Sequence, residues 1–298
     1  MTQTVLILGA TGKFGRHTAA AFEARGWTVR RFNRGTDDLT RAAQGAEVIV
    51  MGWNPPTYAT WDRDLLPMHR QVIAAARTTG ATVILPGNVY VYGPDSPELW
   101  TDTTPKRATN PLGLLRIEME EMYRASGVQT ILLRCGDFID DRASGNWFDA
   151  YVAKRATKGS IAYPGPLDVP HAWAYLPDVG RAAVMLAETR DRLSRFEDVP
   201  FEGYTLTGRA LAAAIARGLG REVRAGRFAW WPLVPMRLVM PMLKGVFEMR
   251  YLWSKPQRLD GTKLARLCPD FVPTPVETAM VHALAHQSRT PRSAVALA

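Results

Sequence analysis

The apolar run Thr4-Val5-Leu6-Ile7-Leu8, followed at once by Gly9-Ala10-Thr11-Gly12-Lys13-Phe14-Gly15, constrains this chain more than any other feature. An unbroken β-favouring run is a strand buried on both faces, and the alanine-rich stretch from Gly15 to Arg25, stopped by Gly26, is a helix. Three glycines at this spacing have three separate tasks. Gly9 allows a tight turn, Gly12 lets backbone come close to a diphosphate, and Gly15 lets helix and strand approach one another. The helix N-terminus then faces the negative charge, with Thr11, Lys13 and Phe14 in the same loop. The segment reads as a dinucleotide-binding turn.

The pattern continues beyond it. Trp27–Asn33 is a second strand and Ala46–Gly52 a third; the polar stretch Arg34–Gln44 between them is short, which predicts a trimmed crossover. Leu65–Thr79 is a helix closed by Gly80, Thr82–Leu85 a strand, Arg107–Ser126 a helix started near Asn110-Pro111, and Val128–Arg134 a strand. This alternation predicts an α/β fold with a doubly wound parallel sheet of Rossmann type. Residues 1–136 form the dinucleotide-binding domain. Residues 137–298 form a smaller, interleaved substrate-side subdomain whose helices Val179–Thr189 and Leu211–Leu219 return to the core. Tyr163–His171 is assigned to its loops, and the tail after Ser288 is expected to fray.

At 298 residues and 47% hydrophobic, the chain can bury a large core. Two cysteines, Cys135 and Cys268, are too few for a disulfide framework or a cysteine-based zinc site, which fits a reducing, cytoplasmic setting; no metal is expected. The net charge of +9 is spread along the chain rather than run together, so nucleic acid is not expected as a partner. The aromatic segment 229–253 carries prolines and charges that exclude a membrane span, so no membrane partner is expected. It is assigned to packing on the substrate subdomain, with an oligomer or lid surface as the alternative, and a homodimer stays open.

The end of the second strand bears on which dinucleotide is bound. NAD sites place a carboxylate there for the ribose hydroxyls, whereas a 2′-phosphate favours Arg. Here Asn33 takes the acidic position and Arg34 follows, with Lys13 placed to reach the same phosphate. Asp37 and Asp38 come too late to replace the acid and are assigned to the adenine-side loop or a helix N-cap. The cofactor read from these residues is NADP(H).

Gly9–Gly15, the stretch Pro86-Gly87-Asn88-Val89-Tyr90-Val91-Tyr92-Gly93 and Tyr175-Leu176-Pro177-Asp178-Val179 together resemble the extended or atypical short-chain dehydrogenase/reductase superfamily, in its NAD-dependent epimerase/dehydratase branch. The resemblance implies a Ser or Thr before the Val-Tyr-Gly element and a Tyr-x-x-x-Lys on the next helix for proton transfer. This chain has Asn88, Leu112 and Arg116 at those places. Cofactor contacts are therefore expected from the glycine turn, Asn33, Arg34, Trp53, Asn54, Pro86, Gly87 and Arg116. Catalysis, if retained, is expected from Tyr92 as proton donor with Asn88 orienting a carbonyl. Tyr90 and the Trp53–Tyr58 segment line the same strand-end crevice, while His171 and His69 are weaker candidates. Two readings follow: an NADP(H)-dependent oxidoreductase of a small carbonyl-type molecule with an atypical active site, or a catalytically silent NADP(H)-binding sensor or assembly protein.

Overall fold

Six parallel strands, which lie side by side in the order Phe196–Pro200, Thr130–Arg134, Thr82–Gly87, Val48–Met51, Thr4–Leu8 and Thr28–Phe32, form the central sheet of the computed structural model, which describes residues 2–288. The tail after Ser288 lies outside the described residues. The first half of the chain runs β1 (Thr4–Leu8), α1 (Lys13–Ala24), β2 (Thr28–Phe32), α2 (Leu39–Ala42), β3 (Val48–Met51), α3 (Trp61–Thr79), β4 (Thr82–Gly87), β5 (Leu99–Trp100), α4 (Pro111–Ser126) and β6 (Thr130–Arg134). The second runs β7 (Asp137–Ile139), β8 (Ser160–Tyr163), β9 (His171–Tyr175), α5 (Leu176–Glu188), β10 (Phe196–Pro200) and β11 (Tyr204–Leu206), then α6 (Gly208–Leu219) and β12 (Arg224–Arg227). It ends with α7 (Leu233–Met236), α8 (Met242–Glu248), β13 (Arg258–Leu259), α9 (Thr262–Leu267) and α10 (Val276–Ser288).

β1, β3 and β6 are buried at every residue, as their unbroken apolar runs require of strands covered on both faces. One face carries α1 and α5 through Phe14, Phe22, Val179 and Leu186; the other carries α3 and α4 through Val72, Ala76, Met119 and Tyr123. A Cβ at Gly180 would lie 2.6 Å from the His17 carbonyl, so α5 can seat on α1 only without a side chain there. β1 pairs with β2 on one side and β3 on the other, which makes the gap between β1 and β3 the topological switch point. Ligands of open α/β sheets bind there, outside the C-terminal strand ends.

A second core joins the sheet β11-β9-β7, the pair β12-β8, α6 and α10 around Trp173, Tyr163 and Ile215. This half also returns to the first, because β10 completes the central sheet beside β6 and α5 packs on α1. Several boundaries differ from the sequence reading. α3 begins at Trp61 rather than Leu65, since Asp62 and Asp64 suit a first turn and Pro67 is accommodated inside the helix. The crossover after β2 is trimmed to the single turn α2, which the Asp38 carboxylate caps at the Arg41 amide. His171, expected in a loop, instead opens the buried strand β9, because Ala172–Tyr175 buries every side chain between two sheet partners.

Arg134, the last residue of β6, is wholly buried. Its guanidinium donates to both oxygens of Glu120 at 3.0 and 2.8 Å, to both of Asp198 at 3.1 and 2.5 Å, and to the Asn88 carbonyl at 2.7 Å. Burial alone would raise the Glu120 carboxyl, but Arg134 and then Lys106 hold it below its ordinary range. The network ties α4, β10 and the β4 strand end to one cation.

Candidate active site

Gly9 turns with φ of +74°, and its carbonyl accepts the Gly12 amide at 2.8 Å. A Cβ on Gly15 would lie 2.2 Å from that carbonyl, and one on Gly52 would lie 2.5 Å from the Leu8 carbonyl. Side chains there would push α1 and the β3 end away from the turn. Gly12 is the N-cap of the twelve-residue α1 and supplies no side-chain acceptor, so the first-turn amides of α1 stay open to an anion. Thr11 is exposed beside them, whereas the Phe14 side chain is buried in the core and only its backbone belongs to the turn.

Phe32, Arg34, Asp37, Trp53 and Gln71 line a cleft of about 380 Å³ next to the turn. The Arg34 guanidinium rests 4.6 Å from the Trp53 ring centre, and Trp53 meets Phe32 edge-on at 5.2 Å. Two expectations need correction here. Asp37 does return to the strand end: its carboxylate accepts the Asn33 amide at 2.8 Å and the Thr36 hydroxyl at 2.9 Å, and these bonds hold its pKa low. The tight turn Asn33–Asp37, in which the Asn33 side chain accepts the Gly35 amide, folds the later acid back. Lys13 does not line this cleft. Its ammonium donates to the Gly145 carbonyl at 3.1 Å, and burial lowers its pKa while Asp149 and Asp140 oppose that shift.

The strand ends on the substrate side bring together residues far apart in sequence. The hydroxyls of Tyr58 and Tyr90 lie 2.6 Å apart, each half-buried. Tyr58 comes from the turn of 3₁₀ helix before α3, and Tyr90 follows the β4 end, where its amide donates to the Asn88 side chain at 3.0 Å. The Asn88 oxygen is thereby committed to local geometry. Arg116 is buried, with its guanidinium 4.3 Å from the Trp61 ring centre and donating to Asn54 at 2.8 Å; burial pulls its pKa to about 10. Its Nε is buried without a partner among the described residues.

Burial raises the pKa of both phenols. For both, the Asp137 charge adds to the rise and the Arg116 charge works against it. Asp137, the first residue of β7, faces the same space, and its carboxylate lies 2.7 Å from His171 Nε2. The His171 ring is stacked on Trp253 at 4.2 Å, and its Nδ1 meets the Gln257 amide at 2.8 Å.

Tyr92, expected at the crevice, is elsewhere. It is 1% exposed, stacked 4.4 Å from Trp100, with its hydroxyl on the Thr101 carbonyl at 3.4 Å. Leu112 is buried in the cluster of Trp61, Val89 and Val91, and its amide donates to Glu248 at 2.7 Å. Pro86 is half-buried in β4, and Gly87 serves a close strand approach, since a Cβ there would lie 2.2 Å from Leu132. His69 is buried against Tyr123, away from the strand ends. Asp137 escaped the sequence reading; the available signal was its place just past the end of β6, on the edge that carries Gly9 and Asn88.

No protein-family model matches the chain, and no curated protein matches it either. Solved structures do share its fold. MoeE5 in complex with UDP-glucose and NAD is 13% identical, with 96% of this chain and 98% of that one covered at a TM-score of 0.72. UDP-N-acetylglucosamine 4-epimerase from Bacillus cereus is 12% identical, covering 97% and 98% at 0.73. L-threonine dehydrogenase from Clostridium difficile is 14% identical, covering 96% and 98% at 0.72. The Rossmann-type fold implied by the sequence resemblance is the fold found. Among the described residues, no helix is long and apolar enough to cross a membrane.

Proposed function

We propose that this chain is an NADP(H)-dependent oxidoreductase of a small carbonyl-type substrate, with Tyr58 as proton donor. The observation that carries the reading is the Tyr58–Tyr90 hydroxyl pair beside Arg116 at the strand-end crevice. The turn fits a dinucleotide: the uncapped α1 N-terminus, held in a tight turn by close backbone approaches at Gly9, Gly12 and Gly15, suits its diphosphate, and the Phe32–Trp53 cleft suits adenine. Arg34 on Trp53 would take a 2′-phosphate, and the nearby Asp37 charge moderates that preference. A bound nicotinamide supplies the hydride.

The protein then has to orient the carbonyl and give a proton. If Tyr90 donates to the Tyr58 oxygen, the Tyr58 proton is free to pass to the substrate oxygen. The resulting Tyr58 phenolate keeps the Tyr90 hydrogen bond and the Arg116 charge. Arg116 thus stands where the superfamily lysine would and acts on a phenol delivered by a different segment. Asp137, held by His171, would accept a hydroxyl of the substrate. MoeE5 was solved with UDP-glucose and NAD, but epimerising a nucleotide sugar requires the base position that Leu112 occupies here.

The test is a screen of carbonyl compounds by NADPH oxidation, then Tyr58→Phe. Turnover should fall about 10²- to 10⁴-fold with dinucleotide affinity unchanged, the range for loss of a general acid. Tyr90→Phe should move the alkaline limb of the pH profile upward. Full turnover in Tyr58→Phe refutes the assignment. The buried Leu112 favours the second reading, a silent NADP(H)-binding sensor, and dinucleotide binding without any turnover across the screen would select it.

A further inference from the structure

The segment expected to pack on the substrate subdomain does so with one face only. Trp230 is buried and donates to the Pro164 carbonyl at 2.7 Å, Leu243 is buried, and Gly245 sits so close to Tyr58 that a Cβ would lie 2.7 Å from its ring-bearing carbon. The other face points outward. Leu238 is 90% exposed, Trp231 and Val239 are each 78% exposed, and Val234, Met240 and Met242 are exposed beside them. So dense an apolar knob is rare on a surface without a partner.

Charge indicates the partner. From Val223 to Phe247 the sequence holds no Asp or Glu; Arg224 pairs with Glu222 just before the stretch, which leaves Arg227, Arg237 and Lys244. Glu248, the next acid, turns inward to Asn110 and Leu112. A second copy of the chain would bring these cations together with no acid in the stretch to answer them, on a chain already at +9. Anionic lipid headgroups answer them directly. Trp231 suits the boundary between headgroups and acyl chains, and the long stems of Arg237 and Lys244 can lie on apolar surface with their charges in the headgroup layer. Helices of four and seven residues, separated by Pro241, can lie on a bilayer but not span it.

We infer that the 231–244 face docks on the surface of an anionic bilayer. The sequence expectation of no membrane partner rested on the lack of a span, and this mode needs none. α8 carries both the docked face and the contact with Tyr58, which favours an apolar carbonyl compound dissolved in the bilayer as substrate. That extension rests on the oxidoreductase reading; the docking does not.

The experiment is flotation of the intact chain with phosphatidylglycerol-containing vesicles and with pure phosphatidylcholine vesicles, at low and high salt. Binding should require the anionic lipid, weaken with salt, and shift tryptophan emission to the blue. Leu238→Asp with Val239→Asp, and separately Arg237→Glu with Lys244→Glu, should each weaken binding by about tenfold or more with circular dichroism unchanged. These positions are exposed, so folding is not at stake. Failure to bind anionic vesicles, or binding indifferent to both pairs, overturns the inference. A dimer in sedimentation velocity that Leu238→Asp dissociates, without vesicle binding, assigns the face to a second copy instead. Vesicle binding is read without turnover, so a silent enzyme does not affect it.

Discussion

Acidification should loosen this fold through one histidine, and the effect can be isolated. His69 is buried between α3 and α4, its Nδ1 2.9 Å from the Tyr123 hydroxyl, and its Nε2 has no partner among the described residues. Burial first, and then the Arg116 charge, lower its pKa from 6.5 to about 3. The unfolded chain therefore takes up a proton below pH 6.5 that the folded chain refuses. Stability is fully present above that pH and is lost as pH falls from 6.5 towards 3. At 1.36 kcal/mol per unit, the loss from this group is about 2 kcal/mol at pH 5 and about 4–5 kcal/mol near pH 3. Urea denaturation of the parent chain and of His69→Leu at pH 7 and pH 5 reads the difference. Every other titrating group contributes alike to both, so the parent should lose about 2 kcal/mol more than the variant over that interval. Parallel losses, within ~0.5 kcal/mol, would show that His69 is charged in the folded protein and refute the argument.

Other consequences can be measured as directly. NADPH should bind more tightly than NADH, Arg34→Ala should remove about 1–3 kcal/mol of that preference, and Asp37→Asn should enlarge it; equal affinities in the parent by calorimetry would contradict the cleft assignment. Gly12→Val should fold yet lose dinucleotide binding, whereas Gly15→Ala should lose thermal stability, because its Cβ would meet the Gly9 carbonyl. A folded Gly12→Val with unaltered affinity would refute the placement of the diphosphate. Arg134→Met leaves the buried Glu120 and Asp198 with Lys106 as their one remaining cation and should lower unfolding free energy by about 3–5 kcal/mol in urea, a figure that a loss under ~1 kcal/mol would contradict.

The parts of this fold that were legible in the sequence are those written in local periodicity. The β1 run, the glycine spacing and the alternation through β6 needed no long-range information, and the strand ends followed from a parallel sheet. Side-chain destinations past a strand end were not legible, because no alternation rule survives there. Tyr90 and Tyr92 are two residues apart, yet one meets Tyr58 and the other stacks on Trp100. Asp37 was set aside by counting residues, and a five-residue turn brought it back to Asn33. His171 followed a Gly/Pro-rich stretch that reads as loop, and its strand character comes from partners in β7 and β11. The outward face of 231–242 was hidden for a different reason: aromatic and aliphatic residues in one stretch do not say which of them turn inward.

The strand β10 also bears on how the chain is born. A ribosome that has released residues 1–136 has exposed all of the central sheet except the strand that closes its β6 edge. Until Asp198 emerges, roughly sixty residues later, Arg134 and Glu120 face each other with one carboxylate missing and a row of unpaired backbone groups beside them. At 5–20 residues per second that interval lasts about 3–12 s. During it the nascent chain offers a sticky edge with a buried charge at its end, a natural foothold for a chaperone and a point where a neighbouring nascent copy could pair in error.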